Sequence, residues 1–204
     1  MRLYIARHGE TTANVSRALD TAAPGADLTD RGHEQAKGLA SRLASHHLDG
    51  ILVSNLVRTH QTAAPTATMR SLAPRVDPRI AEVQAGDWEM STDMDTLMAY
   101  FKVAMGWMAG DYDLRIPGGE SGHDVVERFN AALDESEEES LLVVSHGTII
   151  QVWANIALGH EGGRTLAHFQ NCGTGILERV GGRWNLIDWN HRPDVLPEAS
   201  RYVD

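Results

Sequence analysis

The sequence predicts an α/β fold, a three-layer α/β/α sandwich with a mostly parallel central sheet and an antiparallel hairpin near one edge. Three observations carry this. Leu141-Leu142-Val143-Val144 and Ile51-Leu52-Val53 are short apolar runs without alternation, as in parallel strands buried on both faces. Segments with helical apolar spacing separate such runs over most of the chain. Near the C-terminus, Ile176–Val180 and Trp184–Trp189 flank Gly181-Gly182, the pattern of a hairpin with a primed turn.

In order, Arg2–Ala6 is the first expected strand, and residues 13–28 read as a loop punctuated by Pro24-Gly25. A helix is expected from about Asp30, with Ala36, Leu39, Ala40 and Leu43 on one face. Gly32 and Gly38 weaken it by ~1 kcal/mol each relative to alanine. The strand Ile51–Val53 ends at Ser54-Asn55. The next helix carries Arg58 in its first turns and is expected to kink or end at Pro65, which lacks a donor and clashes one turn back. Residues 74–80, bounded by Pro74 and Pro78, suit only an edge strand. Residues 94–108 form a helix with an apolar stripe of Leu97, Tyr100, Phe101, Ala104, Trp107 and Met108. Ser121 with Asp124 opens another as an N-cap pair. Glu137-Glu138-Glu139 is a solvated loop. The strand Leu141–Val144 feeds a helix through Leu158, with Gly159 just past its end. The last dozen residues read as an irregular tail. No repeat or linker divides the chain, so residues 1–204 are expected to be one domain, with 84–118 as a lid or cap insertion.

Composition restricts the function. The 204 residues carry a net charge of -10, which disfavours non-specific nucleic-acid binding. The single cysteine, Cys172, rules out an internal disulfide and suits a reducing compartment. Met1-Arg2 leads directly into a strand, leaving no room for a signal peptide, and no apolar run approaches the ~20 residues of a membrane span. A cytoplasmic protein is the expectation.

Two strand ends carry matching punctuation, Arg7-His8-Gly9 and Ser145-His146-Gly147. Open α/β sheets bind ligands outside the carboxyl ends of their strands, so both imidazoles face one crevice. A third strand end, Ser54, leads within four residues to Arg58. Two guanidiniums suit a compact dianion such as phosphate, which they grip bidentately. A neutral imidazole beside them can attack phosphorus and form a phosphoenzyme. The surrounding cations then stabilise charge on the equatorial oxygens, and a nearby carboxyl group must protonate the leaving alkoxide.

These residues resemble the histidine phosphatase superfamily, in the branch that includes cofactor-dependent phosphoglycerate mutases. Arg7-His8-Gly9-Glu10-Thr11 with Asn14 is similar to its first motif, and Ser54–Ala63 to its second-arginine motif. Ile80-Ala81-Glu82 with Gly86-Asp87-Trp88-Glu89 is similar to its acid-donor motif. Pro117-Gly118-Gly119-Glu120-Ser121 and Val144-Ser145-His146-Gly147 complete the order. The resemblance covers about residues 2–180. It implies that His8 is the nucleophile and Glu82 the proton donor. It also implies that Arg7, Asn14, Arg58, His146 and Gly147 hold the phosphoryl group, with no metal or organic cofactor. One departure is Met90, where glycine is usual in this branch; Pro65 is the other.

The implied activity is hydrolysis of a small phosphomonoester through a phosphohistidine on His8. The partners expected are a small phosphorylated metabolite, no nucleic acid and no membrane, with a homodimer left open. Mutase-type phosphoryl transfer is the enzymatic alternative; the short chain favours hydrolysis. A non-catalytic phospholigand-binding module is the alternative of another class, and such a module has no use for a nucleophile and an acid. His168 and His191 have no metal-site spacing. Gly118-Gly119 reads first as a turn and second as a backbone approach to substrate. Met105, Trp107 and Met108 read as core, or else as lid residues.

Overall fold

The computed structural model describes residues 1–159, 165–191, 193 and 202–203. Its centre is a six-stranded sheet in the order β3-β2-β4-β1-β6-β7. Here β1 is Arg2–Arg7, β2 Gly50–Val53, β3 Arg75–Val76, β4 Ser140–Ser145, β6 Thr174–Val180 and β7 Arg183–Asn190. Strands β1 to β4 run parallel; β6 and β7 form the antiparallel hairpin at one edge. Its turn places both Gly181 and Gly182 at positive φ, 57° and 80°. The sequence-predicted architecture is the observed one.

The unalternated runs work in both directions. Leu3, Ile5, Leu141 and Val143 point into one buried cluster, while Tyr4, Ala6, Leu142 and Val144 point into another. Complete burial of such side chains stabilises by roughly 1.5–3 kcal/mol each. Helices α4 (Met94–Met108), α5 (Gly122–Asp134) and α6 (Gly147–Ala157) cover the first face. Helices α2 (Asp30–Arg42) and α3 (Val57–Arg70) cover the second.

Local chemistry sets the helix starts. Thr29 Oγ1 accepts from Gly32 N at 3.0 Å to open α2. Ser121 and Asp124 form the reciprocal capping box predicted for α5. Gly32, which weakens α2 in isolation, is required by its surroundings. A Cβ there would lie 2.1 Å from Glu10 O, because the turn after His8 packs directly on this helix.

Several expectations need correction. Residues 13–28 are not wholly loop: Thr12–Ser16 forms a short helix, α1, capped by Thr11 and Asn14. Pro65 does not end α3, which continues to Arg70 because Thr66 and Ala67 bury against the core. The edge strand expected at 74–80 shrinks to Arg75–Val76 and then turns through Pro78–Ile80 as a 3-10 helix. Phe101 is not core but 42% exposed, as is Met105 at 49%, whereas Trp107 and Met108 are buried. The expected irregular tail lies mostly outside the described residues. Within it the backbone of β8 (Tyr202–Val203) pairs antiparallel with β5 (Thr165–Leu166).

Candidate active site

The sheet topology brings the predicted strand ends together. β2, β4 and β1 are neighbours, and Arg7 pairs with Ser145, so the residues that follow, His8 and His146, leave adjacent strands at the same level. Their ring centroids are 5.2 Å apart. Above them lies a cleft of about 410 Å³ whose lining includes Arg7, His8, Asn14, Arg58 and Glu82.

His8 is 3% exposed. Its Nδ1 donates to Gly9 O at 2.7 Å, which leaves Nε2 with its lone pair. Gly9 is itself fixed, its N–H donating to Thr62 Oγ1 at 2.9 Å. Burial, and then the charges of Arg58 and Arg7, hold the His8 imidazole well below its ordinary pKa, so the ring is neutral at physiological pH.

The two arginines are held differently. Arg7 donates from Nη1 to Phe169 O at 2.6 Å, while its buried Nε has no acceptor. Such an unmet donor costs about 1–3 kcal/mol until something accepts from it. Arg58 is 3% exposed; its Nη2 donates to Asp20 O at 2.8 Å and its Nη1 to Asp20 Oδ2 at 3.2 Å. Burial pulls the pKa of both guanidiniums down; Glu82 opposes this at Arg7 and Asp20 at Arg58, and both groups remain charged.

His146, expected at the phosphate, stands behind Arg58 and beside His8. It is fully buried and does not line the cleft. Its Nδ1 accepts from Arg58 Nε at 3.3 Å, and its Nε2 then donates to Ser54 Oγ at 2.9 Å. Burial first, then Arg58, holds this ring neutral as well. Gly147 also lies off the cleft. A Cβ on it would meet the His168 ring at 2.6 Å, so the missing side chain makes room for that ring.

Glu82 sits at the N-terminus of α6. Its Oε1 accepts from Val83 N and Ile149 N, both at 2.9 Å, and Oε2 accepts from Thr148 N at 3.1 Å. Oε2 is the less occupied oxygen. The loop that carries Glu82 is clamped from α5: Arg128 donates to Arg79 O, Ala81 O and Glu82 O, and to both oxygens of Glu120. Glu120 in turn accepts from Gln84 N at 2.9 Å. The Pro-Gly-Gly turn therefore leads to a brace for the acid loop. Gly118 and Gly119 pack on Gly86 and are absent from the cleft lining.

Asn14 lines the cleft with its Oδ1 already committed to Thr11 N and Asn171 Nδ2, leaving its amide nitrogen for an acceptor. Met90 explains the branch's usual glycine. Its φ is 59°, a left-handed conformation that costs a side-chain-bearing residue roughly 1–2 kcal/mol.

Other lining residues were given no individual site role from the sequence: Arg17, Asp20, Tyr100, Thr148, His168 and Asn171. His168 was weighed only as a metal ligand; burial and then Arg7 lower its pKa to about 3. Among the described residues no His/Cys/Asp/Glu cluster could hold a metal ion. Arg128 had one available signal, a lone arginine flanking the buried stripe of α5.

The family model of the histidine phosphatase superfamily (branch 1) matches residues 3–192, and the chain belongs to that family. It is 33% identical over 198 residues to the adenosylcobalamin/alpha-ribazole phosphatase of Escherichia coli K12, covering 94% of this chain and 92% of that one. A probable phosphoglycerate mutase of Erwinia tasmaniensis is 28% identical over 197 residues, covering 93% and 90%. Among solved structures, a mycobacterial glucosyl-3-phosphoglycerate phosphatase complexed with VO3 superposes with a TM-score of 0.78 at 28% identity. That match covers 94% of this chain and 99% of that one.

Proposed function

We propose that this chain is a phosphatase that hydrolyses a small phosphomonoester through a phosphohistidine on His8. The observation that carries the reading is a neutral imidazole at a strand end. Its Nδ1 is tied to Gly9 O, its Nε2 is unprotonated, and Arg7 and Arg58 line the same cleft. The phosphatases among its relatives support the same reaction class.

In the first step the Nε2 lone pair attacks phosphorus and the ester P–O bond breaks. The departing oxygen takes the proton carried on Glu82 Oε2. Arg7 and Arg58 hold the equatorial oxygens as charge spreads over them. Asn14 adds its amide donor. His146 acts through Arg58, whose Nε it accepts, and Asp20 fixes the other side of that guanidinium. In the second step water attacks phosphorus, the Glu82 carboxylate takes its proton, and the P–N bond breaks. Inorganic phosphate leaves and neutral His8 is restored. All these groups come from one chain, so a homodimer is not required for the chemistry. Within residues 84–118 the helix α4 lines the cleft, which supports reading the segment as a lid or cap insertion. Among the described residues no helix is long and apolar enough to cross a membrane, and a cytoplasmic location suits the small phosphorylated substrate.

Rapid acid quench with labelled substrate is expected to trap an acid-labile phosphoryl group on His8. His8→Ala is expected to lose the adduct and roughly 10⁴-fold or more in turnover. An active His8→Ala protein would overturn the assignment. The mutase reading predicts interconversion of 3- and 2-phosphoglycerate dependent on a bisphosphorylated activator; hydrolysis without such dependence excludes it.

A further inference from the structure

The outer half of the cleft differs in chemistry from its floor. α4 presents Met94, Leu97, Met98 and Phe101 to it, spaced i, i+3, i+4 and i+7 on one face. A separate stripe of the same helix, Tyr100, Ala104, Trp107 and Met108, is buried in the core. Leu97 belongs to the core as well as to the cleft wall, and Tyr100 reaches the cleft too, but core packing does not account for the exposure of Met94, Met98 and Phe101. Met94 is 55% exposed, Met98 63% and Phe101 42%, all along one cleft. Ala13, Ala18 and Leu19 add to the apolar lining.

The polar groups of the cleft are mostly committed elsewhere. Asp20 holds Arg58, and Thr21 holds Glu89 through both its backbone N–H and its hydroxyl. His168 is neutral. Among the described lining residues, Arg17 is the one cation beyond the two arginines of the floor, and it is exposed. A leaving group with its own carboxylate or second phosphate would have Arg17 alone to pair with among these lining residues. A cleft of about 410 Å³ is also far larger than a phosphoryl group needs, within the usual range for drug-sized ligands.

We infer that the leaving group of the substrate is a broad apolar or aromatic ring system, seated on Met94, Leu97, Met98 and Phe101. This deepens the phosphatase reading and rests on it. Methionine suits such a wall because its unbranched, polarisable thioether adapts to flat rings and contacts their edges. Phe101 supplies an aromatic surface for an offset or edge contact.

The test compares kcat/KM for 2-naphthyl phosphate, phenyl phosphate and 3-phosphoglycerate in the wild-type chain. The two aryl esters leave as phenols of similar acidity, so their ratio reports contact with the extra ring. An advantage of about tenfold or more for the naphthyl ester over the phenyl ester is expected, with 3-phosphoglycerate poorest. The double variant Met94→Ser/Met98→Ser is expected to bring the naphthyl-to-phenyl ratio close to one. Met105→Ser, on the same helix but off the cleft, should leave the ratio unchanged. Both substitutions are at exposed positions, and circular dichroism checks that the fold is kept. A ratio near one in the wild type, with phenyl phosphate turned over through a His8 adduct, would overturn the apolar seat alone. Preference for 3-phosphoglycerate that disappears in Arg17→Ala would overturn it in favour of an anionic leaving group. No hydrolysis and no adduct with any ester would overturn the phosphatase reading, and this inference with it.

Discussion

Replacing Arg128 with lysine tests whether the acid is positioned by its loop or only by the start of α6. The guanidinium uses Nε and Nη2 on Glu120 at 2.6 and 3.0 Å. It also reaches Arg79 O at 2.6 Å, Ala81 O at 2.8 Å and Glu82 O at 3.1 Å. Lysine keeps the charge and its attraction to Glu120, but its compact ammonium cannot span all three carbonyls. Two lost bonds to a charged donor, at ~1.5 kcal/mol each, give about 3 kcal/mol of destabilisation. The low end is used because the Arg128 side chain is 17% exposed. For a chain of this size that is a fall of roughly 6–12 °C in Tm. The activity change should be selective. A loop slackened by about 1 Å costs up to roughly 10²-fold, and only where the proton from Glu82 matters. The assay is kcat/KM for an alkyl phosphate and for 2,4-dinitrophenyl phosphate, whose leaving group departs without a proton. The alkyl-to-dinitrophenyl ratio is expected to fall at least tenfold. Equal slowing of both esters, or a lowered Tm with an unchanged ratio, would refute the positioning role and leave Arg128 as a structural tie.

Other outcomes follow from the same geometry. Glu82→Gln keeps the shape but cannot donate a proton, so it should slow alkyl esters by about 10²–10⁴-fold and dinitrophenyl esters far less; steady-state kinetics decides. The lowered pKa values of His8, His146 and His168 make stability depend on pH. Below pH 6.5 the unfolded imidazoles bind protons that the folded ones do not. Stability is therefore full above about pH 7 and is lost as pH falls, for His168 over the range from 6.5 to about 3. The slope is at most ~1.4 kcal/mol per pH unit for each imidazole. Urea midpoints at pH 7.5 and 5.5 should differ in that direction, and His168→Gln should reduce the difference. Pro65→Ala restores an N–H donor inside α3, where proline costs ~3 kcal/mol, against ~1 kcal/mol gained by the more flexible unfolded chain. Tm is expected to rise; a fall would mean that the proline ring is needed for packing.

The fold class, the strand ends and the order of motifs were set by local pattern. Unalternated runs such as Leu141–Val144 can be buried only on both faces, and a short run followed by His-Gly must end where a crevice can form. The residue types at those ends, imidazole beside guanidinium, suited a compact dianion, and the family resemblance implied phosphoryl transfer. Pro65 showed the limit of local reasoning, because burial of Thr66 and Ala67 outweighed its helix-breaking tendency. Only the tertiary structure decided which groups reach the cleft. His146 and Gly147 sit one layer behind it, while Arg17 and Asp20 enter it from the turn just after Asn14 and His168 from a distant segment. The two faces of α4 were likewise inseparable in the sequence, since Phe101 and Trp107 are equally apolar there. One meets the cleft and the other the core because the sheet fixes the roll of the helix, a property that no short window of sequence contains.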